Sequence, residues 1–231
     1  MNPMNKGKFI VIEGTDGAGK GEQTLRLVKR IKNSGKDIVP FDFPRYNEPS
    51  SWFVNQFLNG RFGSIQEVSP KTASLFFALD RYAAAPEIRA AINSGSIAVS
   101  NRYVASNLGH HGAKIDDADE RHHYFEWNYD LEYVINGIPK PDLNIILHVP
   151  AEVAQQLVDK KMERQYLEGK KRDLHEADIA HLKRAEETYL QMAELFPNDF
   201  TVVECFDSGR LLSIEEVHEK VWVIAKKVLG M

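Results

Sequence analysis

The sequence predicts an α/β protein, a P-loop three-layer α/β/α sandwich with a five-stranded parallel sheet and a lid. Three observations carry this. Short runs rich in Val and Ile alternate with helical patterns along the whole chain. The runs lack in-and-out alternation, as expected of parallel strands covered on both faces. The first run breaks into a glycine-rich turn that opens a helix, the setting of a phosphate-binding loop. Repeated strand-then-helix order with right-handed crossovers gives a doubly wound arrangement.

Taken in order, strands are expected at Lys8–Glu13, Asp37–Phe41, Ile97–Ser100, Leu143–Val149 and Thr201–Cys205. Helices are expected at Gly19–Ser34, Ser51–Asn59, Pro70–Ser94, Tyr103–His111, Ala118–Asn136, Ala151–Met162, Leu174–Phe196 and Ile214–Leu229. Gly35, Gly95 and Gly137 fall just past helices, where a left-handed residue ends a helix. The polar stretch Gln165–Asp173 reads as part of a lid at about residues 163–173. One domain over 1–231 is expected, with residues 1–7 as a flexible N-terminus.

The chain has 231 residues, 43% apolar and 27% charged, the composition of a globular domain with a buried core. Its 29 basic and 33 acidic residues give a net charge of −4 without a basic block, which argues against a nucleic-acid partner. Cys205 is the single cysteine, so a disulfide framework and a cysteine metal site are excluded; a buried strand position explains it. No run approaches 18 apolar residues, so no membrane span is expected. Met1–Gly7 is short and polar without an apolar stretch behind it, and a cytoplasmic location is expected.

The turn reads Gly14-Thr15-Asp16-Gly17-Ala18-Gly19-Lys20-Gly21. Its glycines let successive backbone N–H groups converge on a phosphate, the helix dipole adds positive potential, and Lys20 reaches the β- and γ-phosphates. An ordinary glycine-rich turn is the rival reading; the spacing and the preceding strand favour a nucleotide. In open α/β sheets ligands bind beyond the carboxyl ends of strands. There the chain carries Arg45 in Phe43-Pro44-Arg45-Tyr46 and Arg102 in Asn101-Arg102-Tyr103. Phe77 and Arg81 share a helical face, suited to orienting a planar base. Singly, Phe77 reads as core and each arginine as a solvated or paired side chain. Together beside the loop they favour an anionic second substrate.

These motifs, with Leu79-Asp80-Arg81, Arg102-Tyr103-Val104-Ala105-Ser106-Asn107, Pro139-Lys140-Pro141-Asp142, and Arg172-Asp173 with Glu176, make the whole chain resemble thymidylate kinases. The resemblance implies phosphoryl transfer from ATP to dTMP, with Mg²⁺ and a homodimer. Gly14, Thr15, Asp16, Gly17, Ala18, Gly19, Lys20 and Gly21 would bind ATP. Arg45 and Arg102 would hold the acceptor phosphate, Phe77 would stack on thymine, and Arg81 and Asn107 would meet its polar edge. Phe43, Pro44, Ser106 and His110 complete the expected substrate site, although His110 and His111 also read as surface histidines. Asp16 would hold the sugar or a metal-bound water, and Glu176 would lie near Mg²⁺ and the sugar. The family keeps its catalytic arginine either in the P-loop, where this chain has Gly17, or in the lid. Here the catalytic set is expected to be Lys20, Arg102, Arg164 and Arg172.

Two departures stand out: Asn101 where the family usually has aspartate, and Gly21 where it usually has a hydroxyl residue. They predict activity with a high Mg²⁺ requirement, the metal resting mainly on phosphates and waters. Two other readings stay open. A deoxynucleoside kinase would need a carboxylate base, for which Glu48 is a candidate. A non-catalytic nucleotide-binding homologue would fit the departures. The aromatic residues of Ala118–Asn136 form a wide stripe, read either as core or as an isologous interface.

Overall fold

The computed structural model describes residues 6–64, 66–167 and 179–231, with the side chains of 161–167 left out. Five parallel strands, β1 (Phe9–Gly14), β2 (Ile38–Asp42), β3 (Ile97–Asn101), β4 (Leu143–His148) and β5 (Phe200–Glu204), lie in the order β2-β3-β1-β4-β5. The chain leaves β1 towards β2 on one side and later returns to β4 on the other. The crevice of such a sheet therefore opens beside the end of β1.

The helices are α1 (Lys20–Asn33), α2 (Trp52–Leu58), α3 (Pro70–Asn93), α4 (Val104–Gly112), α5 (Ala118–Tyr129), α6 (Ala151–Leu167), α7 (Ile179–Leu195) and α8 (Ile214–Leu229). Side chains alternate across β1. Ile10 and Ile12 join Leu27 and Ile31 of α1 and Val217 and Val221 of α8 on one face. Phe9 and Val11 pack with Ile88 of α3 and Val104 of α4 on the other, where Tyr124, Phe125, Tyr189 and Met192 extend the core. This is the three-layer sandwich expected from unalternating strands. Gly35, Gly95 and Gly137 all adopt positive φ just past helices.

Several elements differ from expectation. Gly7, expected in a flexible terminus, is buried and donates to the Ile92 carbonyl at 2.8 Å. Tyr103 is not helical but precedes α4. α6 continues to Leu167, so residues 163–167 of the expected lid are helical; 168–173 lie outside the described residues, as does 174–178 of the expected seventh helix. The helix expected over Ala118–Asn136 changes to a π-helical turn at Asp130–Ile135. The turn shifts the helical phase, leaving Val134 and Ile135 exposed and Glu132 buried. Tyr124 and Phe125 of this stripe are core. After β5 a short hairpin, β6 (Phe206–Asp207) and β7 (Arg210–Leu211), was not foreseen. No described helix is long and apolar enough to cross a membrane.

Candidate active site

Beyond β1 the backbone passes through φ of +85° at Gly17 and +80° at Gly19, and α1 begins at Lys20. A Cβ on Gly17 would stand 2.4 Å from the Ala154 carbonyl oxygen, so the loop has no room for an arginine there. Gly19 offers no side-chain cap, which leaves the first N–H groups of α1 for an anion, backed by the helix dipole. Lys20 is buried; its Nζ donates to the Thr15 carbonyl at 2.8 Å and lies 3.8 Å from Asp16.

Two clefts open from this point. The first runs along residues 16–23 to Asp42 and Asn101, against an apolar wall that includes Val149, Leu157, Cys205 and Leu212. Burial pushes the Cys205 thiol up to about 12, so it serves as wall. The second cleft is lined by Phe57, Phe77, Arg81, Ser106, Asn107, His110, His111, Lys114 and His181. Asp16, Phe43, Pro44, Tyr46 and Arg102 line both. The two clefts meet there.

Arg102 has φ of +64°, uncommon for a non-glycine residue, and its surroundings over-determine it. Its N–H donates to Ile12 O at 2.9 Å, and Ser100 Oγ donates to its carbonyl at 2.7 Å. The Tyr103 N–H and the Ser106 hydroxyl both donate to the fully buried Glu13 carboxylate, at 2.6 and 2.7 Å. Glu13 thus anchors the turn, a role the sequence did not reveal; its only signal is an acid ending an apolar strand. Ser106 is engaged there rather than directed solely at a ligand.

The Arg102 guanidinium pairs with Asp16 and donates to His110 Nε2 at 3.0 Å. A guanidinium only donates, so Nε2 accepts and Nδ1 carries the proton, facing His181 Nε2 at 3.5 Å. Burial, with Arg102, His181 and Lys20 outweighing the pull of Asp16, holds His110 well below its ordinary value. Burial would raise Asp16, but Arg102, Lys20 and His110 hold it well below the usual carboxylate range.

In the second cleft the half-buried Phe77 ring lies 5.3 Å from His111 and 6.2 Å from Phe57. Arg81 donates from Nε to Glu132 Oε1 at 3.0 Å, from Nη2 to the same oxygen, and from Nη1 to Tyr103 O at 3.2 Å. Asn107 Nδ2 donates to Ser74 O at 3.1 Å. Glu132 therefore positions Arg81. It reaches inward only because of the π-helical turn, and nothing in the periodicity announces it.

Arg45 lines neither cleft in this structure: Nε donates to the buried Asp80 at 3.2 Å and Nη2 to Ser50 at 3.0 Å. Leu211, Leu212 and Ile214 line the first cleft beside Cys205. Glu48, the candidate base of the nucleoside-kinase reading, is exposed and lines neither cleft. Arg172, Glu176 and the Arg164 side chain lie outside the described residues. Among the described residues no group of three or more His, Cys, Asp or Glu could hold a metal. The oxygens of Asp42 and Asn101 suit Mg²⁺ that is also held by phosphates, and Asn101 Oδ1 is buried with no hydrogen-bond partner.

A family model described as "Thymidylate kinase" matches residues 12–221. A thymidylate kinase of Mycobacterium tuberculosis is 30% identical over 186 residues, 80% of this chain and 85% of its own. A probable thymidylate kinase of Thermococcus onnurineus is 30% identical over 231 residues, covering 96% of this chain and 98% of its own. The solved structure of thymidylate kinase from Candida albicans shares the fold with a TM-score of 0.72 at 22% identity, over 96% of this chain and 92% of that one.

Proposed function

The chain belongs to the thymidylate kinase family, and on that footing we propose that it transfers the γ-phosphoryl group of ATP to dTMP, giving dTDP. One observation carries the reading beyond family membership: a P-loop cleft and a base-sized cleft meet at Asp16 and Arg102. The acceptor phosphate has a second pKa of about 6 and is mostly dianionic at neutral pH, so it needs no general base. What it needs is relief of repulsion between two anions and stabilisation of the charge on the transferring group. Lys20 and the α1 N-terminus serve the donor phosphates, and Arg102 serves the acceptor. Phe77 stacks on the base while Arg81 and Asn107 meet its polar edge. Mg²⁺, when bound, neutralises the donor phosphates. With Gly17 closed to a side chain, we assign the remaining cations to Arg164 and Arg172 in the lid, with Glu176 near the sugar.

ADP formation measured with dTMP, thymidine or neither, in the presence of Mg²⁺, tests this. Turnover with dTMP alone is expected. Turnover with thymidine would move the enzyme to the nucleoside kinases, and none with either would make it a binding protein.

We further propose a homodimer and a cytoplasmic site of action, where ATP is available. Support for the dimer is an exposed apolar face on α2 and α3: Trp52, Phe53 and Phe62, with Leu75, Leu79 and Tyr82 along one side of α3. Light scattering should give twice the chain mass of 26.3 kDa, and Leu79→Asp should give one. A parent protein at the single-chain mass would remove the dimer.

A further inference from the structure

Position 101 carries an amide where the family's usual aspartate helps hold the metal, so a carboxylate for Mg·ATP must come from elsewhere or be missing. The first cleft holds three carboxylates among its described lining residues: Asp16, Glu22 and Asp42. Asp16 is engaged by Arg102 and Glu22 by Arg26 at 2.6 Å. Asp42 forms no ion pair within 4 Å among the described residues. Its Oδ1 accepts from Asn101 Nδ2 at 2.8 Å, and the two residues are register partners at the carboxyl ends of β2 and β3.

From this juxtaposition we propose that the metal-anchoring carboxylate has moved one strand across the sheet, from position 101 to Asp42, and that Asn101 is its positioning residue. The chemistry of the pair fits Mg²⁺. The cation takes oxygen donors, keeps several waters, and is commonly held by one or two carboxylates plus nucleotide phosphates. Asn101 Nδ2 directs the carboxylate, and its buried Oδ1, without a donor among the described residues, suits the O–H of a metal-bound water. The exposed position of Asp42 keeps the ion accessible to solvent.

This inference rests on the kinase reading but is tested without turnover. Mn²⁺ is the probe, titrated by electron paramagnetic resonance into the protein saturated with ADP and lacking acceptor. Asp42→Asn should weaken Mn²⁺ binding about tenfold, the lower end of the usual loss when a supporting metal contact is removed. The exchange D42N/N101D restores a carboxylate on the neighbouring strand and should bring the affinity back to within about threefold. Metal-free ADP binding, read in EDTA, should be unchanged or tighter in D42N, because a negative charge near the phosphates is gone. That readout separates metal anchoring from damage to the loop.

The proposal is overturned if D42N keeps the parent's Mn²⁺ affinity within twofold. It is equally overturned if the exchange fails to recover the loss, or if D42N weakens metal-free ADP as much as it weakens the metal. Since no acceptor is present, failure of dTMP turnover would refute the kinase assignment and leave these outcomes legible.

Discussion

In the base pocket Arg81 is 1% exposed and clasped by Glu132, which is wholly buried; at the cleft junction Arg102, about a fifth exposed, rests on Asp16. Both are arginine–carboxylate pairs, yet they do opposite jobs. A thymine ring is neutral, so the guanidinium that reads it must already be neutralised, and its partner stays in the complex. A phosphate is dianionic and competes with Asp16 for a guanidinium. On the proposed reading, the carboxylate on Arg102 is therefore a placeholder that an anion displaces. Pre-assembled packing recognises the uncharged end of the substrate, and an exchangeable ion pair receives the charged end.

The largest expected effect lies on the exchangeable side. Lys20→Ala should lower kcat at least about 10³-fold, because its charge acts mainly in the transition state. The fold should survive, since the ammonium's contacts to the Thr15 carbonyl at 2.8 Å and to Asp16 at 3.8 Å are local to the loop. Rapid-quench turnover with a thermal melt reads both; a variant that keeps its rate removes Lys20 from the chemistry.

Next in size is a break on the pre-assembled side. Glu132→Ala leaves a buried guanidinium without its partner, worth about 3 kcal/mol of stability. For a chain of this size that is a fall of about 6–12 °C in Tm. The matching change at the junction, Arg102→Gln, breaks a pair whose side chains are each about a fifth exposed, so Tm should fall less, and KM for dTMP should rise about tenfold, the worth of one charge-assisted hydrogen bond of about 1.4 kcal/mol. Equal losses of Tm in both variants would erase the distinction between the two sites.

The same contrast decides what could be read from the sequence. The sheet, the loop and Lys20 are legible because local spacing encodes them: apolar runs of strand length and glycines at loop positions. Phe77, Arg81 and Asn107 are legible as pocket residues because their motifs follow strand ends or share a helical face. The supports are not. Glu132 is turned inward by a π-helical turn that breaks the 3.6 period. Glu13 looks like a strand's polar end, and its three partners, Tyr103, Ser106 and Tyr189, are about 90 or more residues away in sequence. Nothing local to Arg45 announces its pairing with Asp80, 35 residues on. Long-range ion pairs are products of packing, and single-sequence patterns do not carry them.

A smaller effect separates the regions by pH. His110 has its folded value depressed, while the unfolded value is about 6.5. As pH falls below about 6.5 the unfolded chain takes up a proton that the folded chain refuses, so stability drops, by at most about 1.4 kcal/mol per pH unit. His148 is shifted the other way: burial lowers it, but Glu186 and Glu204 together raise it, so its contribution fades as pH rises. Denaturant midpoints from pH 5 to 8 should show a flatter acid limb in His110→Gln. An unchanged limb would assign the slope to other groups.

The smallest expected effect is a gain, and it bears on how exchangeable the phosphate side is. Gly21 is the second residue of α1, its φ is not in the left-handed region, and a Cβ there would meet nothing within 4 Å. Glycine is therefore not sterically required. Gly21→Ser should raise stability by about 0.5 kcal/mol, because serine loses less backbone entropy than glycine in a helix. Its hydroxyl also faces the first cleft, where an added oxygen near the metal should lower the Mg²⁺ concentration for half-maximal rate roughly threefold, the worth of one modest hydrogen bond. A Mg²⁺ titration at saturating ATP and dTMP, paired with a melt, separates the two gains. If the melt rises and the metal requirement does not move, the open space beside Gly21 is only a helix N-terminus, and the phosphate side is less adaptable than the partly exposed Arg102–Asp16 pair implies.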